Sequence, residues 1–324
     1  MKILISGGAG FIGSHLARML LHERQDVEIV VYDNFTSGKK WHLESVLNDQ
    51  RLKIVEADIK DIDKLKKAME GTNTVFHFAS NPDIAKAVSQ PDIDFWEGTY
   101  LTNNILEAMR MNNVKKLLYA SGSGVYGEGK ELWLDENYSP MLPISTYGSS
   151  KLSCEALICS YCHMFDMQAA AFRFANVVGS NQTHGVVYDF IRRLLINDAE
   201  LEILGDGSQS KPYIFVSDVL RAMLIVWDNL EKYQYFNVAP MDFITVTEIA
   251  NVVTEVMELK NVKYNYTGGD RGWKGDIPIV RLKTDKIRDL GWNNEFNSKQ
   301  AIQKSAKSIL NDAKMNKFNW EEKI

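Results

Sequence analysis

The chain has 324 residues, 45% apolar and 24% charged, with a net charge of −5. These values exclude a disordered chain, a collagen-like rod and a coiled coil, and fit one large α/β domain or two fused lobes. No apolar run reaches the roughly 18 residues of a membrane span, no signal-peptide h-region opens the chain, and the acidic balance argues against a nucleic-acid partner.

Strand and helix signals alternate through the first half. Strands are predicted at Lys2–Ser6, Val27–Tyr32, Leu52–Glu56, Thr74–Phe78, Lys116–Ala120 and Gln168–Phe174. Helices are predicted at Gly10–Glu23, Ile62–Met69, Tyr100–Asn112 and Thr146–Phe165. Such alternation implies an α/β fold with a parallel sheet covered on both faces. Beyond about residue 176 the pattern loosens into helical stretches (Val187–Leu195, Val216–Trp227, Val246–Glu258, Lys299–Lys314) among Gly- and Asp-rich loops. The expected organisation is a sheet domain over 1–175 and a smaller C-terminal lobe over 176–324, with an interleaved boundary. Cys154, Cys159 and Cys162 all fall in one predicted helix. The Cys159-Ser-Tyr-Cys162 spelling lacks a second pair or His cluster, so the thiols read as small hydrophobes in a reducing, cytoplasmic compartment, and no metal site is expected.

The sharpest local signal is Gly7-Gly8-Ala9-Gly10-Phe11-Ile12-Gly13, between the first strand and the first helix. Gly7, Gly10 and Gly13 allow a tight turn and close approach of backbone to a pyrophosphate. Phe11 and Ile12 open the helix, whose free N–H groups and dipole favour an anion. Asp33 follows at the end of the next strand, where a carboxylate accepts from ribose hydroxyls and repels a 2′-phosphate. NAD is therefore the expected cofactor, in a Rossmann-type doubly wound sheet. Asp58-Ile59 and Phe78-Ala79-Ser80 end the third and fourth strands and are expected to line it. Tyr147 and Lys151 stand four apart at a helix start, on one face. A phenol titrates near 10 in water, and a neighbouring ammonium favours its ionised form, as a base working near neutrality requires.

With these motifs the chain resembles the extended short-chain dehydrogenase/reductase family, nucleotide-sugar epimerase type, and most of all its UDP-glucose (UDP-galactose) 4-epimerase branch. The resemblance runs through Gly7–Gly13, Asp33 to Gly38, Asp58-Ile59, Val125-Tyr126-Gly127, Tyr147 to Lys151 and Arg173 to Gly179. It continues through Gly205 to Gln209, Val216-Ser217-Asp218, Arg271 to Asp276 and Leu290-Gly291-Trp292. It implies an NAD-dependent isomerase that inverts C4 of a UDP-hexose through a transient 4-keto sugar. Tyr147 would be the base, Lys151 would hold the nicotinamide ribose, and Asn34, Ser37 and Gly38 would join the cofactor residues. Asn176, Val187, Lys211 and Tyr213 would contact the substrate, with Arg271 and Lys274 competing to neutralise its diphosphate. A homodimer is implied, through helices carrying Leu101, Ile105, Leu106, Ala108 and Met109 on one and Leu152, Ala156, Leu157 and Cys159 on the other. These stripes are equally consistent with core.

Two positions depart from the family pattern. Gly122 stands where relatives carry Ser or Thr against the reacting hydroxyl, leaving Ser123 as the candidate substitute. Phe95 stands where an Asn is usual. Ser123-Gly124 also lacks the acid pair of a 4,6-dehydratase and the Glu of a decarboxylase. A dehydratase or decarboxylase type, or an impaired NAD and sugar-nucleotide binder, is the alternative expectation.

Overall fold

Every strand and helix expected from the sequence is formed, with ends displaced by no more than two residues. The computed structural model describes residues 1–129 and 131–318. In chain order the elements are β1 (Lys2–Ser6), α1 (Phe11–Glu23), β2 (Glu28–Asp33), β3 (Leu52–Glu56), α2 (Ile62–Met69), β4 (Thr74–His77), α3 (Tyr100–Met111), β5 (Lys116–Gly122), α4 (Thr146–Phe165) and β6 (Gln168–Phe174). There follow β7 (Asn176–Val178), α5 (Val186–Ile196), β8 (Glu200–Ile203), β9 (Ser210–Lys211), β10 (Tyr213–Phe215), α6 (Val216–Asp228) and β11 (Tyr233–Val238). The chain then forms β12 (Ile244–Thr245), α7 (Val246–Val256), β13 (Lys263–Tyr266), α8 (Asp285–Arg288) and α9 (Ser298–Lys314).

The chain divides into two units. The first comprises Met1–Val125, Ser145–Arg173 and Leu220–Phe236; the second comprises Tyr126–Ile144, Phe174–Val219 and the chain from Asn237 on. The first unit is built on a seven-stranded sheet of order β11-β6-β5-β4-β1-β2-β3. β1 pairs in parallel with both β2 and β4, matching Ile5 with Val31 and with Phe76. The strand order therefore reverses between β1 and β4, and the carboxyl ends on either side of that reversal are where open α/β sheets take ligands. β11 is the strand of this sheet that the sequence reading missed, as it also missed β7 to β10, β12 and β13; it comes from beyond residue 230 and sits beside β6.

Alternation along the strands sends side chains to two faces. Leu4, Val30, Val75, Leu117 and Ala171 form one core with α2, α3 and the Cys154, Ile158 and Cys162 face of α4. Burial pushes the Cys162 thiol up to about 12, so it packs as a small hydrophobe. The same core swallows Leu101, Ile105, Leu106, Ala108 and Met109. The α3 stripe is thus packed within its own chain, while Leu152, Ala156, Leu157 and Cys159 on α4 keep some exposure. On the sheet's other face Phe76 meets Trp227 of α6 edge-on at 5.3 Å, and Trp227 Nε1 donates to Thr74 Oγ1 at 3.2 Å. No helix among the described residues is long and apolar enough to cross a membrane.

The second unit is a set of two-stranded pairs packed by helices. β10 lies parallel to β7, setting Tyr213 opposite Asn176, and β9 lies antiparallel to β12. α7 and α9 each start in a capping box, Thr245 with Glu248 and Asn297 with Gln300. The Asp218 carboxylate accepts from the Glu295 and Phe296 amides, and Trp292 Nε1 donates to the Asp218 carbonyl.

His77 lies in the core of the first unit. Ser6 Oγ and His77 Nδ1 share a hydrogen bond of 2.6 Å, and Nε2 meets Thr102 Oγ1 at 3.1 Å. Burial, reinforced by the Lys151 charge, pushes the ring from 6.5 down to about 3. The folded chain therefore keeps His77 neutral where the unfolded chain takes up a proton. The stability this contributes is complete above 6.5 and is lost as pH falls toward 3. Relative to neutral pH, the loss at about pH 5 is about 2 kcal/mol. Urea unfolding of wild type and His77→Gln at both pH values checks this: the variant's stability should fall less on acidification by about that amount.

Candidate active site

The Gly-rich turn leaves no room for side chains. A Cβ at Gly7, whose φ is +67°, would sit 2.7 Å from the Ala79 amide, and one at Gly13 would collide with the Gly7 carbonyl. Gly10 caps α1 with no side-chain hydrogen bond, and the first turn, with half-buried Phe11 and Ile12, holds no acid. The helix N-terminus is therefore left for an external anion.

Asp33, at the end of β2, closes this turn. Its Oδ2 accepts from the Ala9 amide at 2.9 Å and its Oδ1 from the Phe35 amide at 2.8 Å. Burial pushes its carboxyl up, opposed by the backbone N–H bonds of Phe35, Ala9 and Gly10. Gly38 packs directly on it, since a Cβ there would lie 2.7 Å from Asp33 Oδ1. Asn34 Nδ2 donates to Asp58 Oδ2 at 3.0 Å, tying the loop after β2 to the loop after β3. Ile59 is buried in the core, whereas Ser37, Asp58, Phe78, Ala79 and Ser80 are half-buried at the strand ends. The chain thus supplies a tight glycine turn, a helix terminus with no acid in its first turn and a fixed carboxylate. Those groups fit NAD.

Tyr147 and Lys151 lie in the first turns of α4, which is capped by Ser145 Oγ accepting from the Gly148 amide at 3.1 Å. Lys151 is buried. Its Nζ donates to the Ala120 carbonyl on β5 at 2.8 Å, 5.4 Å from the centre of the Tyr147 ring and 5.0 Å from that of Tyr119. One turn on, Glu155 receives Ser121 Oγ at 2.6 Å and pairs with Arg173 Nη2 at 2.7 Å and Nε at 3.1 Å. Glu155 escaped the sequence reading because its partners lie on two distant strands.

The two departures from the family pattern have definite surroundings. A Cβ at Gly122 would meet nothing within 4 Å, so a Ser or Thr fits there. Ser123 opens a short helical turn, Ser123–Tyr126, and is half-buried. Phe95 points to solvent, 51% exposed, in a π-helical turn over Phe95–Thr99. The buried polar side chain here is its neighbour Asp94. This carboxylate accepts from Asn81 Nδ2 at 2.9 Å and from Thr146 Oγ1 at 2.7 Å, beside Tyr147 in the chain.

In the second unit Asn176 faces Tyr213 across the β7–β10 pair, and Lys211 lies two residues before Tyr213. Asp276 gathers the cations: its Oδ1 accepts from Lys211 Nζ at 2.5 Å and its carbonyl from Arg271 Nη1 at 2.7 Å. Arg271 also pairs with Glu128. Lys274 is exposed and makes no ion pair among the described residues, so of the two competing cations Arg271 is the one held in place. Val187 is fully buried in α5, which leaves only its backbone for a ligand.

A profile of the NAD dependent epimerase/dehydratase family matches residues 3–239, and the chain belongs to that family. A solved structure of a UDP-galactose 4-epimerase is 32% identical, covering 96% of this chain and 99% of that one, with a TM-score of 0.86. The UDP-glucose 4-epimerase of Thermotoga maritima, solved with UDP-glucose, is 28% identical over 97% of this chain and 100% of its own, with a TM-score of 0.86. The dTDP-D-glucose 4,6-dehydratase of Mus musculus is 27% identical over 99% of this chain and 90% of its own. NAD is thus the cofactor of this family, as the Gly-rich turn and Asp33 imply. The similar proteins span two reactions.

Substituting Gly13→Ala should cost at least tenfold in NAD affinity by fluorescence titration, because the turn must open to clear the Gly7 carbonyl.

Proposed function

We propose that the protein is a nucleotide-sugar 4-epimerase acting on a UDP-hexose of the UDP-glucose/UDP-galactose type. The observation that carries this is the Tyr147–Lys151 pair, its lysine fixed to the end of β5 at 2.8 Å, on the sheet whose β1 and β2 ends carry the NAD turn and Asp33. NAD, when bound, supplies the hydride acceptor and donor for C4 of the sugar. Tyr147 takes the proton of the 4-hydroxyl and returns it to the product. Lys151 holds the cofactor's ribose and keeps a positive charge beside the phenol. Ser123 steadies the reacting hydroxyl. Asn176, Tyr213, Lys211 and Arg271 hold the diphosphate and nucleotide, and Arg271 meets it with a flat fork of donors. Lys274 contributes charge from solvent. We also propose a homodimer that uses the part-exposed α4 face, since the α3 stripe is spent on the chain's own core.

Epimerisation is favoured over dehydration by Ser123-Gly124. Elimination of water needs an additional acid and base, and these positions supply a hydroxyl and no side chain. The relatives' names support a sugar-nucleotide substrate, and the T. maritima structure was solved with UDP-glucose itself.

The test is incubation of purified protein with UDP-glucose, UDP-galactose, UDP-N-acetylglucosamine and UDP-glucuronate, with products resolved by NMR. A 4-epimer is expected. A 4-keto-6-deoxy product, or no conversion of any of the four, would sink the proposal. Tyr147→Phe should lower kcat by about a thousandfold while retaining NAD. Gly122→Ser should raise kcat by about tenfold, because it restores a donor in open space. An unchanged rate would assign the hydroxyl contact to Ser123, and Ser123→Ala would then show the loss.

A further inference from the structure

Arg271 is held by acceptors of different kinds, with the exposed Asp270 carboxylate standing off at 3.9 Å from its Nε. The Asp276 carbonyl takes Nη1 at 2.7 Å and orients the guanidinium without neutralising it. Glu128 pairs directly with Nη2 and does neutralise it. Lys211 is matched in the same way by the Asp276 carboxylate. Without a ligand, each of these two cations is therefore met by a carboxylate of its own chain.

The two pairs are not equivalent. Asp276 is 9% exposed at its side chain, and its Oδ2 also accepts from the Gly272 amide at 3.2 Å, so it builds the loop that carries Arg271. Glu128 and Arg271 are 36% and 35% exposed, and Glu128 makes no other ion pair among the described residues. An exposed pair of this kind is held weakly and screened by solvent and salt. The residue before Glu128 is packed closely: Gly127 has φ of +70°, and a Cβ there would collide with the Leu142 carbonyl. The part of the pair that is open to solvent is the Glu128 side chain.

A guanidinium presents the same flat fork to a carboxylate and to a phosphate. We propose that Glu128 is an internal stand-in for the substrate's diphosphate: it occupies Arg271 in the free enzyme, is displaced when a nucleoside diphosphate group arrives, and so sets substrate affinity. This rests on the reading of Arg271 as a diphosphate ligand given above. Glu128 keeps the arginine ordered between turnovers and returns to it as product leaves. It acts through Arg271 and touches no reacting atom.

Calorimetric titration of the NAD-loaded protein with UDP, and with UMP, which lacks the second phosphate, tests this. Glu128→Gln and Glu128→Ala should each bind UDP about three- to tenfold more tightly than wild type, with a smaller gain for UMP. The gain should vanish when Arg271→Gln is present in every protein compared. In steady state, KM should fall and kcat should not rise, since product then leaves more slowly. If wild type binds UDP and both Glu128 variants bind it no more tightly, the stand-in role is overturned while the assignment of the site survives. If the gain persists without Arg271, the role is likewise overturned. If wild type binds NAD but neither UDP nor UMP, the reading of the site itself fails, and this inference fails with it.

Discussion

The chemistry of the first unit depends on how α4 is locked to the ends of β5 and β6. Tyr147, Lys151 and Glu155 stand at four-residue spacing on one helix face. Lys151 is only 5% exposed, a position a charge tolerates only with close partners, here the Ala120 carbonyl and two aromatic rings. Glu155 and Arg173 are buried almost completely and bonded through two guanidinium nitrogens, with Ser121 completing the carboxylate. A pair of this kind adds little net stability, because desolvation offsets its attraction. Breaking it leaves a buried charge, at a cost of about 3–5 kcal/mol. Its effect is geometric: a slip of α4 along the sheet would unpair Lys151 and Glu155 together. The phenol that heads the helix inherits that fixed register.

The second unit uses charge in the opposite way. Its cations stay half-exposed, each beside a carboxylate, with Asp276 serving one through its side chain and the other through its carbonyl. The first unit buries its ion pair for position, and the second leaves the Arg271–Glu128 pair near solvent, where it is held weakly.

How much of this was legible in the sequence follows from how local each cause is. Gly7, Gly13 and Asp33 were readable because the constraint acts within one strand–turn–helix unit, and the contacts at Gly7 and Gly13 show directly why no side chain fits. The Tyr147–Lys151 pair was readable from helical spacing. Glu155, Asp94 and Glu128 were not, because their partners lie between 13 and 143 residues away. The apolar stripe of α3 had the right period and an open destination, since period alone does not distinguish a core from an interface. Strand β11 was lost for a similar reason: its place beside β6 is decided by pairing across some 60 residues of intervening chain.

The departures at Phe95 and Gly122 look alike in the sequence but are physically different. At Phe95 a buried polar group stands one residue earlier, at Asp94. A π-helical turn puts the phenylalanine in solvent and leaves Asp94 buried beneath it, bonded to Asn81 on one side and Thr146 on the other. The start of α4 therefore has its polar support, and this substitution gives no ground for reading the site as silenced. At Gly122 a Cβ would meet nothing within 4 Å among the described residues, and the adjoining hydroxyl is that of Ser123. Under the epimerase proposal the hydroxyl missing at Gly122 would be one contact among several, with Tyr147 and Lys151 both present. Loss of one such contact lowers a rate without removing a reaction, so on that proposal Gly122 would bear on speed and not on the kind of chemistry.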